Sequence, residues 1–574
     1  MKKYFFVFIF LGLSTVSYSQ NIPFTLQKSA LFQDEFRNSV LLLSEKNDKG
    51  ELLLVRSYEG SMVSQATGYY IEYYDDNLKF KRGFEYEMKH PNYQKYNLIL
   101  GVFTMGSNLH FVEIYYDLNE KMFVCLDNVM AEDFKITPKE LFRLSRDEMK
   151  KFGSFNLQQK FYARSKEVWT NDNVGAINAE SELANLDTYY QIFFSGNATG
   201  NYNYSTIYSN EKAGSGSDIV LVVNETKSDF AIAIDVKGAE NDGLKLYLFD
   251  KDLNKKMDLI YTNEAKDKKC FFQNIQVSDD GNAIYVLAKA YDKDLKKKTE
   301  GGKYYFELTK VLPEKQVSQK IAIGEHFLGT LKTYYRNDEL TLLGLYSDQK
   351  DFRYTGIFCS KVDTNTLETK SSHYNPFTEQ FLFDKYGTGT HKNLKNIRFK
   401  KIFFKDNGEI ILNAEEEYVT SNASGFAASG AMPATNSSST YYSYDDIIIA
   451  QFNAEGSLLW ARNINKKQTT TDDENSFISY TSAIRNDKTY FFINTKDKIK
   501  KLKNDRIEFG KIRKNKSNLN IIEVNANGDF DYQEILDDEQ NEVPFMVAKG
   551  VIIDNNVYLL GRKGKNKQLL KITL

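Results

Sequence analysis

The feature of this 574-residue sequence that most constrains its fold is a repeated unit of four short apolar segments separated by polar turns. The first turn of the unit is clearest in residues 404–419 and 277–291, which read FKDNGEIILNAEEEYV and VSDDGNAIYVLAKAY. The second turn is clearest in residues 448–464 and 521–536, IIAQFNAEGSLLWARNI and IIEVNANGDFDYQEIL. Asp-Gly and Asn-Gly pairs tolerate positive φ, and their side chains bond the local backbone, which is typical of hairpin turns. Each unit therefore predicts a four-stranded antiparallel sheet.

Repetition of the unit indicates the architecture. Four-stranded sheets that recur along a chain at such intervals are typical of a β-propeller. The second unit is the least regular, so the count of blades is seven or eight. We predict an all-β fold for residues 20–574: a single β-propeller domain of four-stranded blades with loop insertions and one insertion helix. The units lie near residues 38–88, 97–129, 219–262, 272–324, 330–375, 398–466, 478–538 and 545–574.

The two ends of the chain complement each other. The last unit stops at Leu574 after its third strand, whereas residues 22–29, IPFTLQKS, have a strand-like pattern and no unit of their own. Pairing this closing strand into the last blade would remove the exposed edges that an open sheet leaves. The pattern predicts that the N-terminal strand closes the ring.

Three insertions interrupt the β pattern, near residues 131–217, 420–444 and 496–516. The first includes a predicted helix at 138–152, because Thr137, Pro138 and Glu140 resemble an N-cap, a first helical position and a capping box. Residues 196–216 and 420–444 are rich in Ser, Gly, Asn, Ala and Tyr, which is typical of mobile loops. We expect all three insertions outside the propeller core.

The first nineteen residues have the order of a secretory signal peptide. Lys2 and Lys3 precede an apolar run that ends at Leu13, and Ser17 and Ser19 fit a small-x-small cleavage site. The apolar run is shorter than the ~20 residues of a membrane-spanning helix. The sequence therefore predicts a signal peptide at 1–19 and an exported protein of the periplasm, the extracellular space or the cell envelope, with no transmembrane segment in the mature chain.

Charge and cysteine content narrow the function classes. The formal net charge is −2, and removal of residues 1–19 leaves 73 basic against 77 acidic residues. This balance argues against a nucleic-acid partner. Cys125, Cys270 and Cys359 are widely spaced and form no CxxC pair, so we interpret them as three separate thiols or as one disulfide and one thiol.

Motifs of known chemistry are absent from the sequence. There is no HExxH, no GxSxG, no GxxxxGK[ST] and no GxGxxG after a strand. Asp250, Asp252 and Asn254 have the spacing that opens a calcium loop, but the turn glycine and the closing glutamate are missing. We therefore predict no metal, no cofactor and a monomeric chain without identifiable catalytic residues.

The most charged segment is the insertion at 496–516, which holds ten Lys or Arg against three acidic residues. It could be a solvated loop between two strands, or a projecting hairpin that binds an anionic partner such as an envelope protein, an acidic glycan or lipopolysaccharide. The candidate binding residues are Lys500, Lys501, Lys503, Arg513 and Lys514.

The run from residue 218 to residue 465 resembles a family of exported proteins of Gram-negative bacteria with propeller-type repeats and no established function. The segments that carry the resemblance include LKLYLFDKDLN, IQVSDDGNAIYVLAKAYDK and YYSYDDIIIAQFNAEGSLLWARNINKKQ, with the closing VYLLGRKGKNKQLLKITL. The resemblance implies export and a β-rich repeat fold. NAEGSLLW at 453–460 is also similar to one repeat of quinoprotein-type propellers, but Trp occurs in only one of the units, which argues against a quinone cofactor.

Two functional hypotheses follow. The first is an exported propeller scaffold that binds a ligand or partner without catalysis. The alternative is a glycan-active hydrolase or lyase whose carboxylates come from several blades at the central channel. Acidic and aromatic side chains on the innermost strands would favour the enzyme, and an apolar or Lys-rich channel would favour the scaffold.

Overall fold

The computed structural model describes most of the chain in segments. Most of the insertion at 131–217, all of the predicted signal peptide and Arg513 and Lys514 lie outside them. The described residues are 22–36, 38–59, 67–145, 148, 219–237, 242–262, 270–291, 304–348, 353–389, 394, 396–423, 438–471, 475–496, 499–503, 506–509, 517–539 and 541–574.

These residues form 36 strands and one α-helix, α1 (Glu379–Tyr386). The strands in the first half are β1 (Thr25–Lys28), β2 (Phe32–Gln33), β3 (Asn38–Lys46), β4 (Leu52–Glu59), β5 (Thr67–Tyr74), β6 (Phe80–Glu87), β7 (Gln94–Met105), β8 (Asn108–Asp117), β9 (Met122–Met130), β10 (Ile136–Ser145), β11 (Ile219–Val223), β12 (Asp229–Lys237), β13 (Asp242–Asp250), β14 (Lys255–Thr262), β15 (Cys270–Val277), β16 (Ile284–Tyr291), β17 (Tyr304–Val311) and β18 (Gln316–Ile321).

The second half also contains two short 3-10 helices, at Asn475–Phe477 and Val547–Lys549. Its strands are β19 (Phe327–Arg336), β20 (Glu339–Ser347), β21 (Gly356–Val362), β22 (Thr369–Pro376), β23 (Ile397–Phe404), β24 (Ile410–Ala423), β25 (Ser438–Phe452), β26 (Leu458–Lys466), β27 (Gln468–Thr471), β28 (Thr481–Arg485), β29 (Lys488–Thr495), β30 (Lys500–Lys501), β31 (Ile507–Phe509), β32 (Asn518–Val524), β33 (Phe530–Leu536), β34 (Val551–Ile553), β35 (Asn556–Lys563) and β36 (Asn566–Thr573).

The strands form eight sheets, each built on four antiparallel strands. Sheets 1 to 6 are β3–β6, β7–β10, β11–β14, β15–β18, β19–β22 and β23–β26, and sheet 7 is β28, β29, β32 and β33. Sheet 8 takes β34, β35 and β36 from the end of the chain and β1 from its beginning. The eight units read from the turns correspond to these eight sheets, so the weak second unit is a sheet like the others.

Side chains of Asp and Asn fix the turns between strands. The Oδ1 atom of Asp75 accepts hydrogen bonds from the backbone N–H groups of Asn77 and Lys79. Asp250 makes the same pair of bonds with Asp252 and Asn254, so the residues that resemble a calcium loop form a turn. Carboxylates that close turns in this way account for the regular acidic positions of the repeats.

An apolar residue occupies a strained position in several turns between the third and fourth strands. Leu78, Leu253 and Leu367 have φ angles of 56°, 61° and 61°. The corresponding turns of sheets 6 and 7 have a glycine with positive φ instead, Gly456 and Gly528. The three leucines are buried at 2%, 8% and 0% exposure. Burial of an apolar side chain contributes about 1.5–3 kcal/mol, which offsets the cost of about 1–2 kcal/mol for a left-handed backbone.

Each sheet packs its faces against its neighbours in chain order. Separate apolar cores join sheet 2 to 3, 3 to 4, 4 to 5, 5 to 6, 6 to 7 and 7 to 8. A further core joins sheets 1 and 2 and also contains Tyr558 and Leu569 of sheet 8 beside Leu43 and Leu54 of sheet 1. The last sheet therefore packs against the first.

A second contact recurs between neighbouring sheets, from one sheet to the turn between strands three and four of the next. In sheet 6, the indole N–H of Trp460 donates to the carbonyl of Ala526 in the sheet 7 turn at 2.8 Å. Lys139 of sheet 2 donates to the carbonyl of Asp252 in sheet 3. Lys571 of sheet 8 makes the equivalent contact with the carbonyl of Asp76 in sheet 1, at 3.2 Å.

The N-terminal segment crosses three sheets. The Ile22 N–H donates to Gln533 of sheet 7 at 3.0 Å, and β1 pairs with β36 from Thr25↔Thr573 to Lys28↔Leu570. Asp34 then reaches sheet 1 through an ion pair with Arg56. The strand expected near 22–29 is thus the fourth strand of sheet 8.

The helix predicted at 138–152 is wrong over its first part. Thr137 and Pro138 lie in β10, opposite Val129 and Asn128 of β9. Because β10 is the edge strand of its sheet, a proline there removes no ladder hydrogen bond that the sheet needs. Phe142 stacks on Tyr247 of sheet 3 with ring centroids 4.0 Å apart. This packing between sheets outweighs the local capping pattern.

The loop expected at 420–444 is also partly wrong. Residues 420–423 and 438–444 continue β24 and β25 as a paired ribbon, with Thr420 opposite Tyr441. Residues 424–437 lie outside the described part of the chain.

Cys125 and Cys359 are buried free thiols, as the separate-thiol interpretation expects for these two. Among the described residues, no helix has the length and apolar character to cross a membrane.

The two ends of the sheets differ in their connections. Strands one and two, and strands three and four, are joined by the tight turns described above; we call this the turn end. Strands two and three, and successive sheets, are joined at the opposite end. That insertion end receives α1, the extended β24–β25 ribbon and the segment at 496–516. The insertions therefore collect at one end of the fold.

Candidate functional site

The densest group of charged side chains lies at the insertion end of sheet 6, where α1 packs. Thr378 caps the helix, since its hydroxyl accepts a hydrogen bond from the Phe381 N–H at 3.2 Å. Gly387 ends the helix with a φ of 72°. Phe381 and Leu382 are buried against sheets 5 and 6, which orients the helix and directs its charged residues toward sheet 6.

Two adjacent residues of α1 make ion pairs with sheet 6. The Asp384 carboxylate accepts a hydrogen bond from Arg462 Nε of β26 at 2.6 Å. The Lys385 ammonium lies 2.9 Å from Glu416 of β24 and 2.6 Å from Asp446 of β25. The Lys385 ammonium therefore forms ion pairs with two carboxylates, and all three side chains are largely buried.

A second pair is fully enclosed. Lys466 and Glu415 have side chains at 0% exposure and lie 2.7 Å apart. Lys466 also donates to the carbonyl of Tyr444, and the second oxygen of Glu415 accepts from Ser479. We call the whole group the sheet-6 charge cluster: Asp384, Lys385, Arg398, Lys400, Glu415, Glu416, Glu417, Asp446, Arg462 and Lys466.

Burial shifts the protonation equilibria of this cluster. Desolvation raises the pKa of Glu416 to about 7, although Lys385 acts in the opposite direction. Desolvation lowers the pKa of Lys466, opposed by Glu415. For Lys385, burial acts to lower the pKa, but Asp446 and Glu416 raise it overall. Perturbed groups of this kind mark either a functional site or a structural ion-pair network.

We expect Glu416→Gln to stabilise the protein at pH 8. The folded-state pKa of Glu416 lies above its unfolded value, so the fold binds more protons between these two pKa values and loses stability as pH rises through this window. The amide removes this loss while Asp446 still pairs with Lys385. The free energy of unfolding should rise by about 1–2 kcal/mol at pH 8 and change little at pH 5, as measured by urea unfolding.

Glu409→Gln is the matched control for that prediction. Its hydrogen bond with Lys405 lowers the pKa of Glu409, so the charged form stabilises the fold above the unfolded-state pKa. The free energy of unfolding of this variant should be about 0.2–1 kcal/mol below that of the parent at pH 8. At acid pH the difference from the parent should disappear. If both variants are destabilised equally at pH 8, the protonation assignment for Glu416 is wrong.

The basic insertion lies beside this cluster and forms a short hairpin. Lys500 and Lys501 occupy β30, which pairs with β31, and β31 pairs in parallel with the end of β26. Lys500, Lys501 and Lys503 are exposed, while Arg513 and Lys514 fall outside the described residues. The structure therefore places three of the five predicted binding residues together.

The described part of the hairpin does not project freely as expected. Phe509 is fully buried and packs edge-on against Tyr532 of sheet 7, with ring centroids 5.4 Å apart. Arg506 donates to the carbonyl of Lys385 at 2.8 Å and so caps the C-terminus of α1. The parallel pairing with β26 and the burial of Phe509 hold the hairpin against sheets 6 and 7.

The first strands of the eight sheets have few acidic residues. The first strands of six sheets contact a neighbouring first strand: β7 meets β11, β11 meets β15, β15 meets β19, and β3 meets β34. The eight first strands contain eight Lys or Arg and one carboxylate, Glu45. Several of the cations are paired, as Arg398 is with Glu417 at 2.9 Å.

The sheet-6 charge cluster was not predicted from the sequence. Its signal was the run of Glu415, Glu416 and Glu417 inside an apolar strand pattern, which a solvent-facing strand would also allow. Among the described residues, no three His, Cys, Asp or Glu side chains form a group that could hold a metal ion. The geometry of the cluster is that of a closed ion-pair network that fastens α1 to sheet 6.

No family model and no curated protein matches the chain. Among solved structures, it is similar to prolyl oligopeptidase B from Galerina marginata, with 8% identity, a TM-score of 0.34, and coverage of 91% of this chain and 55% of that one. The chain thus spans about half the length of that enzyme.

Two further similar structures match this chain over most of their own length. The polysaccharide lyase Uly1 has 10% identity and a TM-score of 0.32, with 85% of this chain and 94% of that chain covered. The β-propeller domain of the trilobed protease from Pyrococcus furiosus has 11% identity and a TM-score of 0.21, with 60% and 90% covered. At these values the likenesses assign the chain neither to a family nor to an activity.

Proposed function

We propose that the eight sheets are the blades of a closed eight-bladed β-propeller. Sheet 8 packs against sheet 1 through the same kind of apolar core that joins the other neighbours. The contact from Lys571 to the Asp76 carbonyl repeats the contact from Trp460 to the Ala526 carbonyl. The strand β1 completes sheet 8, which supports closure by pairing of the two chain ends.

We further propose that this propeller is an exported binding scaffold of the periplasm or cell envelope, and that its insertion end is the binding surface. The observation that carries this proposal is the unequal distribution of connections between the two ends. The tight turns at one end add little surface beyond the sheets, whereas α1, the β24–β25 ribbon and the basic hairpin add surface at the other end. Loops and insertions on a rigid scaffold commonly carry binding residues. The signal-type N-terminus supports export.

The alternative proposal, a glycan-active hydrolase or lyase, has less support from the geometry. A hydrolase of this class needs a pair of carboxylates that face each other across the substrate. The first strands supply only Glu45. Glu416 and Asp446 lie close together, but Lys385 bridges them, so both carboxylates are already engaged.

Blocking one end at a time tests the binding surface. We expect a large polyethylene glycol maleimide attached at Asn119→Cys or Lys503→Cys, at the insertion end, to abolish capture of envelope components by the mature protein. The same group at Lys79→Cys or Lys315→Cys, at the turn end, should leave capture unchanged. All four positions are exposed, and burial raises the pKa of Cys359 to about 12, which keeps its thiol unreactive. Captured material is identified by mass spectrometry.

The parent protein treated with the same maleimide measures labelling of the native cysteines. Loss of capture from turn-end blocking alone would overturn the assignment of the insertion end. Equal capture by all four labelled variants would show that neither end is the binding surface.

A further inference from the structure

The exposed lysines beside β26 form an ordered basic surface. Lys467, Lys500, Lys501 and Lys503 are all exposed, and we call them the lysine ridge. The backbone N–H of Lys467 donates to the carbonyl of Phe509 at 3.2 Å, which places the end of β26 against the hairpin. The described part of the hairpin contains one acidic residue, Glu508, whose carboxylate lies 3.5 Å from the Lys500 ammonium. The ridge therefore has an excess of positive charge.

We propose that the lysine ridge binds an acidic polysaccharide, a chain with repeated carboxylate or sulfate groups. This inference rests on the proposed scaffold function and names its ligand class. Ammonium groups held on a fixed hairpin and on the adjoining end of β26 can pair with charges that recur along an extended polymer. The attraction is long-ranged and is screened by salt.

The composition of the ridge argues against a protein partner. Protein interfaces are enriched in aromatic residues and Arg and depleted in Lys. The residue types that protein interfaces favour are engaged elsewhere in the described hairpin, since Phe509 is buried and Arg506 caps α1, and the exposed residues are lysines. An anionic lipid surface is disfavoured as well, since such binding usually adds inserted apolar side chains, and Ile499 and Ile507 pack on the core between sheets 6 and 7.

The ridge is also more than protection of a strand edge. Lysines on edge strands prevent unwanted pairing, and a loose loop would serve that purpose equally well. Here the buried Phe509, the parallel pairing of β31 with β26 and the Arg506 cap fix the hairpin in place. A fixed position reduces the entropy lost when a ligand binds.

Retention on immobilised heparin, used as a model acidic polysaccharide, tests the proposal. The variant Lys500→Gln, Lys501→Gln, Lys503→Gln should bind about tenfold more weakly near 0.1 M salt and show a flatter salt dependence. The matched control, Lys79→Gln, Lys251→Gln, Lys315→Gln, changes the net charge equally at exposed positions of the turn end. It should bind heparin like the parent, and both variants should melt like the parent.

Three outcomes would overturn the proposal. Equal weakening in both triple variants would show that net charge alone drives retention. Unchanged retention in the ridge variant would show that the ridge does not bind. Binding to anionic vesicles that depends on the ridge, without ridge-dependent heparin binding, would identify a lipid surface instead. The Asn119→Cys arm of the end-blocking experiment changes no ridge lysine, so it tests the scaffold function with native envelope components independently of these outcomes.

Discussion

Replacing Asp34 with alanine is expected to lower the free energy of unfolding by about 3–5 kcal/mol. Asp34 lies just after β2 and joins two sheets, since its carboxylate is 2.6 Å from Arg56 of sheet 1 and 3.7 Å from Lys567 of sheet 8. The side chains of Arg56 and Lys567 are exposed by only 1% and 0%. Removing the carboxylate leaves buried cations undercompensated, which costs far more than the loss of a surface pair.

The protonation of Lys567 gives this prediction a pH signature. Burial lowers the pKa of Lys567 to about 8, although Asp34 acts to raise it. Without Asp34, the pKa of Lys567 should fall further. The variant should therefore regain part of the stability lost relative to the parent as pH rises from this further-lowered pKa to about 8, and the two proteins should respond alike above that pH. Equilibrium denaturant unfolding at a series of pH values measures the recovery.

Two comparisons separate this ion pair from a general charge effect. Asp76→Ala removes a carboxylate that is 71% exposed and lies 3.8 Å from Lys46, so it should cost less than about 1 kcal/mol. Adding Lys567→Met to the Asp34 variant should restore part of the stability. If the Asp34 and Asp76 variants lose the same amount, Asp34 does not act as a buried link between sheets 8 and 1.

The repeats were predictable because their signals are local. In a turn such as Asp75–Lys79, the side chain that identifies the turn also makes its hydrogen bonds within five residues. These turn residues can therefore be recognised in the sequence without knowledge of the tertiary contacts. The pairing of the N-terminus with β36 followed from a missing fourth strand, which is also visible without tertiary contacts.

Local signals misled at β10. The Thr137–Pro138–Glu140 pattern favours a helix start, yet the segment is a strand because Phe142 can stack on Tyr247 of the next sheet. The sequence also carried no clear sign of α1, whose eight residues are too few for a helix to be stable without tertiary packing. In both places, contacts between distant segments decide the local structure.

The charge cluster could not be predicted for the same reason. The Lys385–Asp446 pair joins residues 61 positions apart, and the Asp384–Arg462 pair joins residues 78 positions apart. Each residue alone is typical of an exposed position. Only the docking of α1 onto sheet 6 turns them into a buried network, in which desolvation raises the pKa of Glu416 to about 7.

A chain that begins at Ala30 is expected to melt about 3–5 °C below one that begins at Gln20, for a protein of this size. The shorter chain lacks β1 and exposes the edge of β36. It also loses Ile22, which is 5% exposed, and the hydrogen bonds of Ser29 with the backbone of Leu569. Differential scanning calorimetry measures the shift.

Addition of the missing strand in trans provides the sharper test of closure. A peptide of residues 20–29, which are the residues missing from the shortened chain, should pair with the open edge of β36 and raise the melting temperature, because strand addition supplies the same main-chain hydrogen bonds. A peptide of the same composition in scrambled order should have no effect. Leu26→Ser in the longer chain should also leave melting unchanged, since Leu26 is already 36% exposed. An identical melting curve for the two chain lengths would refute closure by the N-terminal strand, since the edge of β36 would then gain nothing from β1.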